Sequence, residues 1–273
     1  MDRRLTPANG RVAAWHLAGQ VEAERYVPGE AARISVPVAD LLDAPAGRRD
    51  RQLIWGEAVT VYEERDGYAF VQAARDGYVG YLAAGQSGDA RAATHVVATP
   101  ATHLYAAESF KSPDLAHLTF GSRITVTAER QKMWETPEGY IPKKHLRPLD
   151  KPFADPATVA QLFFGVPYLW GGNSVRGIDC SGLVQAAFLA CGIPCPGDSD
   201  LQRAALGQDL PEGAERQRGD LYFWKGHVGL LVDAGTLLHA NAHHMAVAYE
   251  PIEAAILRIT AQGDGAVLAR RRL

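Results

Sequence analysis

The sequence predicts an α+β protein: two small antiparallel β-barrels, then a domain in which a cysteine-bearing helix packs on an antiparallel sheet. Three observations carry this prediction. A pattern of short alternating strands occurs twice in the first half of the chain. A glycine-rich loop, Trp170-Gly171-Gly172, precedes Asp179-Cys180-Ser181-Gly182 and an apolar run with helical spacing. Further on, two apolar strand-like runs flank a tight turn, with one histidine in each run. With 273 residues the chain is long enough for two or three domains. The divisions follow as an extension over 1–30, barrels over 31–88 and 89–149, and the cysteine domain over 150–273.

In the first repeat, Leu53-Ile54-Trp55-Gly56-Glu57-Ala58-Val59 is followed by Asp66-Gly67-Tyr68 and Gly77-Tyr78-Val79-Gly80-Tyr81. In the second, Leu118-Thr119-Phe120-Gly121-Ser122-Arg123-Ile124 is followed by Gly139-Tyr140-Ile141-Pro142. Runs rich in Val, Ile, Thr and Tyr, punctuated by Asp-Gly and Gly, are strand and turn signals. Their duplication argues for one small barrel present twice. Pro148, Pro152 and Pro156 mark the linker that follows.

A helix is predicted over Ala157 to Phe164, stopped by Gly165. The helix beginning near Cys180 carries Leu183, Val184, Ala187 and Phe188 at spacings of three and four, and stops at Gly192 and Pro194. Another begins near Ser199, where Ser199 and Gln202 form a capping-box pattern. Residues 220–224 and 227–232 read as strands, Asp233-Ala234-Gly235-Thr236 as a turn, and residues 237–241 as the return strand.

A thiol at a helix start is favoured as thiolate by the helix dipole and the free N–H groups. A thiolate near neutral pH is a nucleophile, which needs a base and a group that orients the base. His227 and His239 are centred on Asp233, so they are neighbours across the hairpin. Asn241 lies on the same strand face as His239 and is the rival orienting residue. Cys191 and Cys195 form only half of a zinc pattern, even with His243 and His244 nearby, so no metal and no cofactor are predicted.

The remaining composition excludes more than it selects. A net charge of −3 and a pI near 6.3 give no support for nucleic acid or an anionic membrane as partner. Arg270-Arg271-Arg272 reads as a solvated end. No apolar run is long enough to span a membrane, and the first residues lack the apolar core of a secretory signal. Three cysteines do not form a disulfide framework, and a cytoplasmic location is the expectation.

The two N-terminal repeats resemble bacterial SH3-like domains. Residues 150–273 resemble the NlpC/p60 family of cell-wall cysteine peptidases, which have a papain-like core. The matching residues are Tyr168-Leu169-Trp170-Gly171-Gly172, Asp179-Cys180-Ser181-Gly182-Leu183-Val184, Gly219-Asp220-Leu221, His227-Val228-Gly229 and a polar residue at 239. The resemblance implies that Cys180 is the nucleophile, His227 the base and acid, and His239 the orienting third member. It also implies that the Tyr168 hydroxyl assists the oxyanion, with Trp170 lining the site or packing.

Two SH3-like units together with Asp198-Ser199-Asp200-Leu201-Gln202 resemble the murein-peptide recycling branch of that family. That branch cleaves the γ-D-glutamyl–diamino acid bond of peptides with a free N-terminal L-alanine. Asp179, Ser181, Asp198 and Ser199 would then contact the L-Ala-γ-D-Glu portion. Gly197 stands where relatives often carry Arg. The substrate's free amine needs an anion, and Glu57 with Tyr78 in the first repeat match that position. The competing expectations are an exported lytic hydrolase of intact peptidoglycan, and a non-hydrolytic wall-peptide binder or thiol acyltransferase.

Overall fold

The computed structural model describes residues 1–263 and 265–273. The chain forms two compact units, Met1–Lys151 and Pro152–Leu273.

The first repeat folds as one antiparallel sheet of seven strands. Their order is Arg49–Ile54, Val38–Leu42, Val79–Ala83, Tyr68–Ala73, Ala58–Arg65, Glu30–Ile34 and Ser87–Asp89. Bulges interrupt the ladder between Leu41 and Leu42 and between Val61 and Glu63, and bulges bend strands. Leu53 from one edge strand and Ile34 from near the other edge share a buried cluster with Leu41, Val59, Val71 and Leu82. The sheet therefore curls around its core.

The second repeat divides into two sheets. One orders Arg123–Ile124, His95–Val97 and Leu146–Pro148; the other orders Asp114–Thr119, Ala101–Tyr105, Gly139–Pro142, Met133–Thr136 and Ala128–Glu129. Val97, Leu104, Leu118, Ile124, Ile141 and Leu146 fill the core between them. Pro100, which has no N–H for a ladder, stands where the chain passes from one sheet to the other. Among the described residues no sheet closes on itself. Each sheet keeps two edges paired on one side only.

The first 30 residues are part of this unit. Val12–Ala14 pairs in parallel with Arg25–Val27, and Val12 packs on Phe70 and Val79. Arg11 closes on Glu63 at 2.7 Å.

The second unit is built on six antiparallel strands. Their order is Gln208–Asp209, Ala269–Arg272, Leu221–Trp224, His227–Leu231, Thr236–Asn241 and Ala246–Pro251. Helix α1 (Pro156–Gln161) starts at Asp155, whose carboxylate accepts the N–H groups of Ala157 and Thr158. Helix α2 (Cys180–Ala190) buries Leu183, Val184, Ala187 and Phe188, at roughly 1.5–3 kcal/mol for each large apolar side chain. Helix α3 spans Ser199–Ala205.

Helix α4 (Ile252–Ala261) packs Ile252, Ala255 and Ile259 against Tyr222, Leu231 and Leu237. Strand alternation puts His227 on the face of Leu231, and His239 on the face of Leu237. Both histidines thus lie on the sheet face that α4 covers.

The C-terminal arginines form a strand inside this sheet, which corrects the solvated-end reading. Arg272 makes a two-pronged ion pair with the fully buried Asp220, Nε to Oδ1 at 2.6 Å and the second nitrogen to Oδ2 at 2.9 Å. Arg270 lies over the Tyr222 ring. Buried carboxylate and ring partners explain why the cluster leaves solvent.

Candidate active site

The start of α2 is held by Asp179. Its Oδ1 accepts the Gly182 N–H at 2.6 Å and the Ser181 hydroxyl at 3.0 Å, and its Oδ2 accepts the Gly171 N–H at 2.9 Å. One carboxylate thus caps the helix and ties it to the glycine loop. A Cβ at position 182 would collide with the Gly172 carbonyl, so the loop approaches the helix this closely only because residue 182 is glycine. Cys180 is buried, and its Sγ lies 3.9 Å from the Gly226 carbonyl oxygen.

Gly226 is one of two turn residues between Trp224 and His227, which pair directly. Its φ of +72° is the left-handed conformation that tight hairpins need. This turn delivers the next residue, His227, to the thiol side. The ladder to the return strand pairs Leu230 with Leu238 and Leu231 with Leu237. It is therefore symmetric about residue 234 rather than Asp233, and the two histidines meet diagonally. His227 Nε2 and His239 Nδ1 are 2.9 Å apart. Asn241 is turned away: its amide donates to the His239 carbonyl, and its Oδ1 accepts from the His244 backbone. Among the described residues, the hydrogen-bond partner of the His227 ring is His239, while the Trp224 ring lies tilted beside it at 5.6 Å between ring centres.

Behind His239 stand two residues that the sequence reading did not single out. His239 Nε2 lies 3.1 Å from Glu250 Oε2. Arg258 grips both Glu250 oxygens, Nε to Oε1 at 2.9 Å and a terminal nitrogen to Oε2 at 2.7 Å. A signal for α4 was present in Ile252, Ala255, Ile256 and Ile259, whose spacing is helical. Burial, then the neighbouring His239 and Arg258, push the His227 pKa well below the usual histidine range. Burial lowers His239 as well, against the pull of Glu250. Glu250 is held below the usual carboxylate range chiefly by Arg258.

His239, His244 and Glu250 present ligand atoms within 4.8 Å of one another. The Arg258 guanidinium already occupies the cationic position beside Glu250, and His239 has both nitrogens engaged. The donor set does not suit a metal. Cys195 is packed against Gln202 and the Pro196 carbonyl.

The other candidates divide. Tyr168 is strung between the sheet and the cysteine segment: its N–H donates to the Met245 carbonyl, and it bridges to Ile178. Burial, then the nearby Cys180 and Asp179, push its hydroxyl pKa strongly up, so it stays protonated and able to donate. Trp170 is 68% exposed on the loop beside Gly171. Asp198, not Ser199, is the N-cap of α3, and it caps without a side-chain bond. The capping-box reading is corrected accordingly. The Gln202 amide instead donates to the Ser181 and Pro196 carbonyls, tying α3 to the start of α2.

In the N-terminal unit, Glu57 and Tyr78 are both buried. Glu57 is no solvated strand-end residue: Oε2 accepts the Ile54 N–H at 2.9 Å and Oε1 meets Arg75 at 2.7 Å. Its charge already has a cation.

A buried thiol at a helix start, beside a histidine pair on an antiparallel sheet, defines the class of papain-like thiol folds. Within that class, residues 165–260 match the NlpC/P60 family, and residues 41–86 match the bacterial dipeptidyl-peptidase SH3 domain. The chain carries an NlpC/P60 domain and a bacterial SH3 domain.

A γ-D-glutamyl-L-lysine dipeptidyl-peptidase of Bacillus subtilis (strain 168) is 31% identical over 160 residues, covering 53% of this chain and 52% of the relative. The peptidoglycan endopeptidase RipB of Mycobacterium tuberculosis is 37% identical over 108 residues, covering 33% and 44%. The chain thus spans about half the length, or less, of these curated relatives. A solved NlpC/P60 family protein from Bacillus cereus ATCC 10987 superposes with a TM-score of 0.74 at 21% identity, over 89% of this chain and 99% of that one. That likeness supports the fold.

Proposed function

We propose that this protein is a cysteine endopeptidase that hydrolyses the γ-D-glutamyl–L-diamino acid bond of murein peptides bearing a free N-terminal L-alanine. The observation that carries the reading is the 2.9 Å contact between His227 Nε2 and His239 Nδ1, placed one residue beyond the carbonyl that Cys180 Sγ touches. The relatives' names, one of them a γ-D-glutamyl-L-lysine dipeptidyl-peptidase, support the substrate class.

In the proposed reaction His227 Nδ1 takes the Cys180 proton and the thiolate attacks the γ-glutamyl carbonyl carbon. The Cys180 backbone N–H and the Tyr168 hydroxyl donate to the oxyanion. His227 returns the proton to the departing α-amine of the diamino acid, leaving a thioester. Water, deprotonated by His227, then attacks the thioester, and the thiol and the γ-carboxylate are released.

Asp179 and Ser181 serve this scheme by fixing the helix start, with Asp198, Ser199 and Trp170 bordering the peptide. Residues 89–149 are read as a second SH3-like unit, and the enzyme as one acting on soluble peptides in the cytoplasm.

The test is mass spectrometry after incubation with L-Ala-γ-D-Glu-diaminopimelate, the L-lysine peptide, the N-acetylated peptides and intact sacculi. Release of the free diamino acid from the free-amine peptides alone is the expected result. Cleavage of sacculi favours a lytic hydrolase, and a ligated product favours an acyltransferase. Cys180→Ala and His227→Ala each abolish turnover; hydrolysis by purified Cys180→Ala protein sinks the assignment.

A further inference from the structure

We propose that Glu250 and Arg258 are a positioning pair that fixes where protons sit on His239 and His227, so that His227 presents a bare Nδ1 to the thiol. This deepens the peptidase reading and rests on its placement of Cys180 beside His227.

The logic runs inward from the carboxylate. An ionised carboxylate can only accept, so Glu250 Oε2 at 3.1 Å requires the proton of neutral His239 on Nε2. His239 Nδ1 is then a lone pair. It can hold His227 at 2.9 Å only by accepting a proton from His227 Nε2. A neutral imidazole with Nε2 protonated has a bare Nδ1, which is the nitrogen a thiol proton needs. Glu250 therefore sets the tautomer of a ring it does not touch.

Arg258 has a different task. An unpaired carboxylate beside His239 would stabilise its doubly protonated form. That form carries a proton on Nδ1, which forces His227 to accept through Nε2 and move its own proton to Nδ1. His227 would then be no base. The guanidinium at 2.7 and 2.9 Å compensates the Glu250 charge and removes the incentive for the extra proton.

Among the described residues, the charged groups that face the pair fit this scheme. Glu250 faces His239 from strand Ala246–Pro251, Arg258 from α4, and His244 from the turn after Asn241. His227 faces it from its own strand, and Cys180 lies beyond His227 at the start of α2. Glu250 raises the proton affinity of His239; Arg258 and His244 oppose it.

Two readouts test the pair without any peptide. In ¹⁵N-labelled Cys180→Ala protein, where the thiol cannot share its proton, NMR near pH 7.5 should find His239 and His227 both protonated on Nε2. Finding either ring protonated on Nδ1 overturns the proposal with no further variant. The second readout is the rate of iodoacetamide alkylation of Cys180 against pH, assigned by peptide mapping to separate it from Cys191 and Cys195.

Glu250→Gln, whose amide can donate as well as accept, should slow alkylation about 10- to 100-fold near neutral pH, with the loss shrinking above the free-thiol pKa of about 8.5. That is less than the roughly 10⁴-fold loss known for a directly bonded orienting carboxylate. Arg258→Met should instead move the acid limb up by about one pH unit and leave the high-pH rate intact. Arg258→Lys should restore the limb. A purely structural pair predicts the same pH-independent loss in both variants, and that result rejects the positioning role. Normal alkylation with no peptide cleavage rejects the peptidase reading alone.

Discussion

Glu57 and Arg75 in the N-terminal unit meet at 2.7 Å, as do Glu250 and Arg258 in the C-terminal unit. Both glutamates are 8% exposed. What differs is the third partner. Glu57 takes the Ile54 backbone N–H, which has one protonation state, whereas Glu250 takes His239, which has several. The first pair can therefore only hold a turn, while the second can hold a turn and also bias a proton. Burial and ion pairing look alike at both places; chemistry enters only where the pair touches a group that can titrate.

The largest expected contrast comes from cutting the chain of contacts at its centre. His239→Ala should lower kcat by about 10³- to 10⁴-fold, in the range seen when an orienting partner of a catalytic histidine is lost. Steady-state kinetics on the free-amine peptide measure it. Glu57→Gln, the matching cut in the other unit, should leave kcat unchanged. Tyr168→Phe comes next. It removes one oxyanion donor while keeping the ring, and should cost about 100- to 1,000-fold in kcat with KM nearly constant. A rise in KM at unchanged kcat would mean that the hydroxyl binds substrate without stabilising the oxyanion.

These expectations depend on how much of each region could be read from the chain alone. The cysteine helix was legible because its determinants are local: Asp179, Gly182 and the apolar spacing after Cys180 lie within one short stretch. The hairpin was legible in outline and two residues off in register, since alternation fixes a face but not a turn. Glu250 and Arg258 were not legible as a pair, because they meet only after α4 folds back over the sheet. How far the sheets of the first unit close was not legible for a related reason. Strand pattern reports which residues alternate, and closure depends on whether two distant edges pair. Gln202 shows the limit of motif reading: it fits a capping box, yet its amide bridges to the Ser181 and Pro196 carbonyls.

A stability measurement sharpens the comparison from the other side. Glu57→Gln leaves Arg75 buried without its main anion, although Asp76 remains at 3.5 Å. Losing one member of a buried pair typically costs about 3–5 kcal/mol, and the residual Asp76 should reduce this to about 2 kcal/mol. Denaturant unfolding should register that loss. KM and kcat for the free-amine peptides should stay as in the parent protein. A KM rise for the free-amine peptides at unchanged kcat would instead return Glu57 to amine recognition.

The smallest effect is a pH dependence of stability, and its sign follows from burial. His227 and His239 have pKa values below those of the unfolded chain, near 6.5. Below that pH the unfolded chain binds protons that the folded site refuses, so stability is full above pH 6.5 and falls as the pH drops. Each such histidine contributes at most about 1.4 kcal/mol per pH unit. The Glu250 carboxyl, depressed by Arg258, adds a further loss only below about pH 4.5. His95 and His145, whose pKa values are lowered chiefly by burial, give the N-terminal unit a slope of the same sign. His239→Asn should therefore remove about one proton from the slope between pH 6 and 5, and His145→Asn should remove the corresponding part in the other unit. Urea unfolding at the two pH values measures both. If the His239→Asn slope matches the parent protein, His239 takes up its proton as readily folded as unfolded, and it is no longer the neutral link between His227 and Glu250.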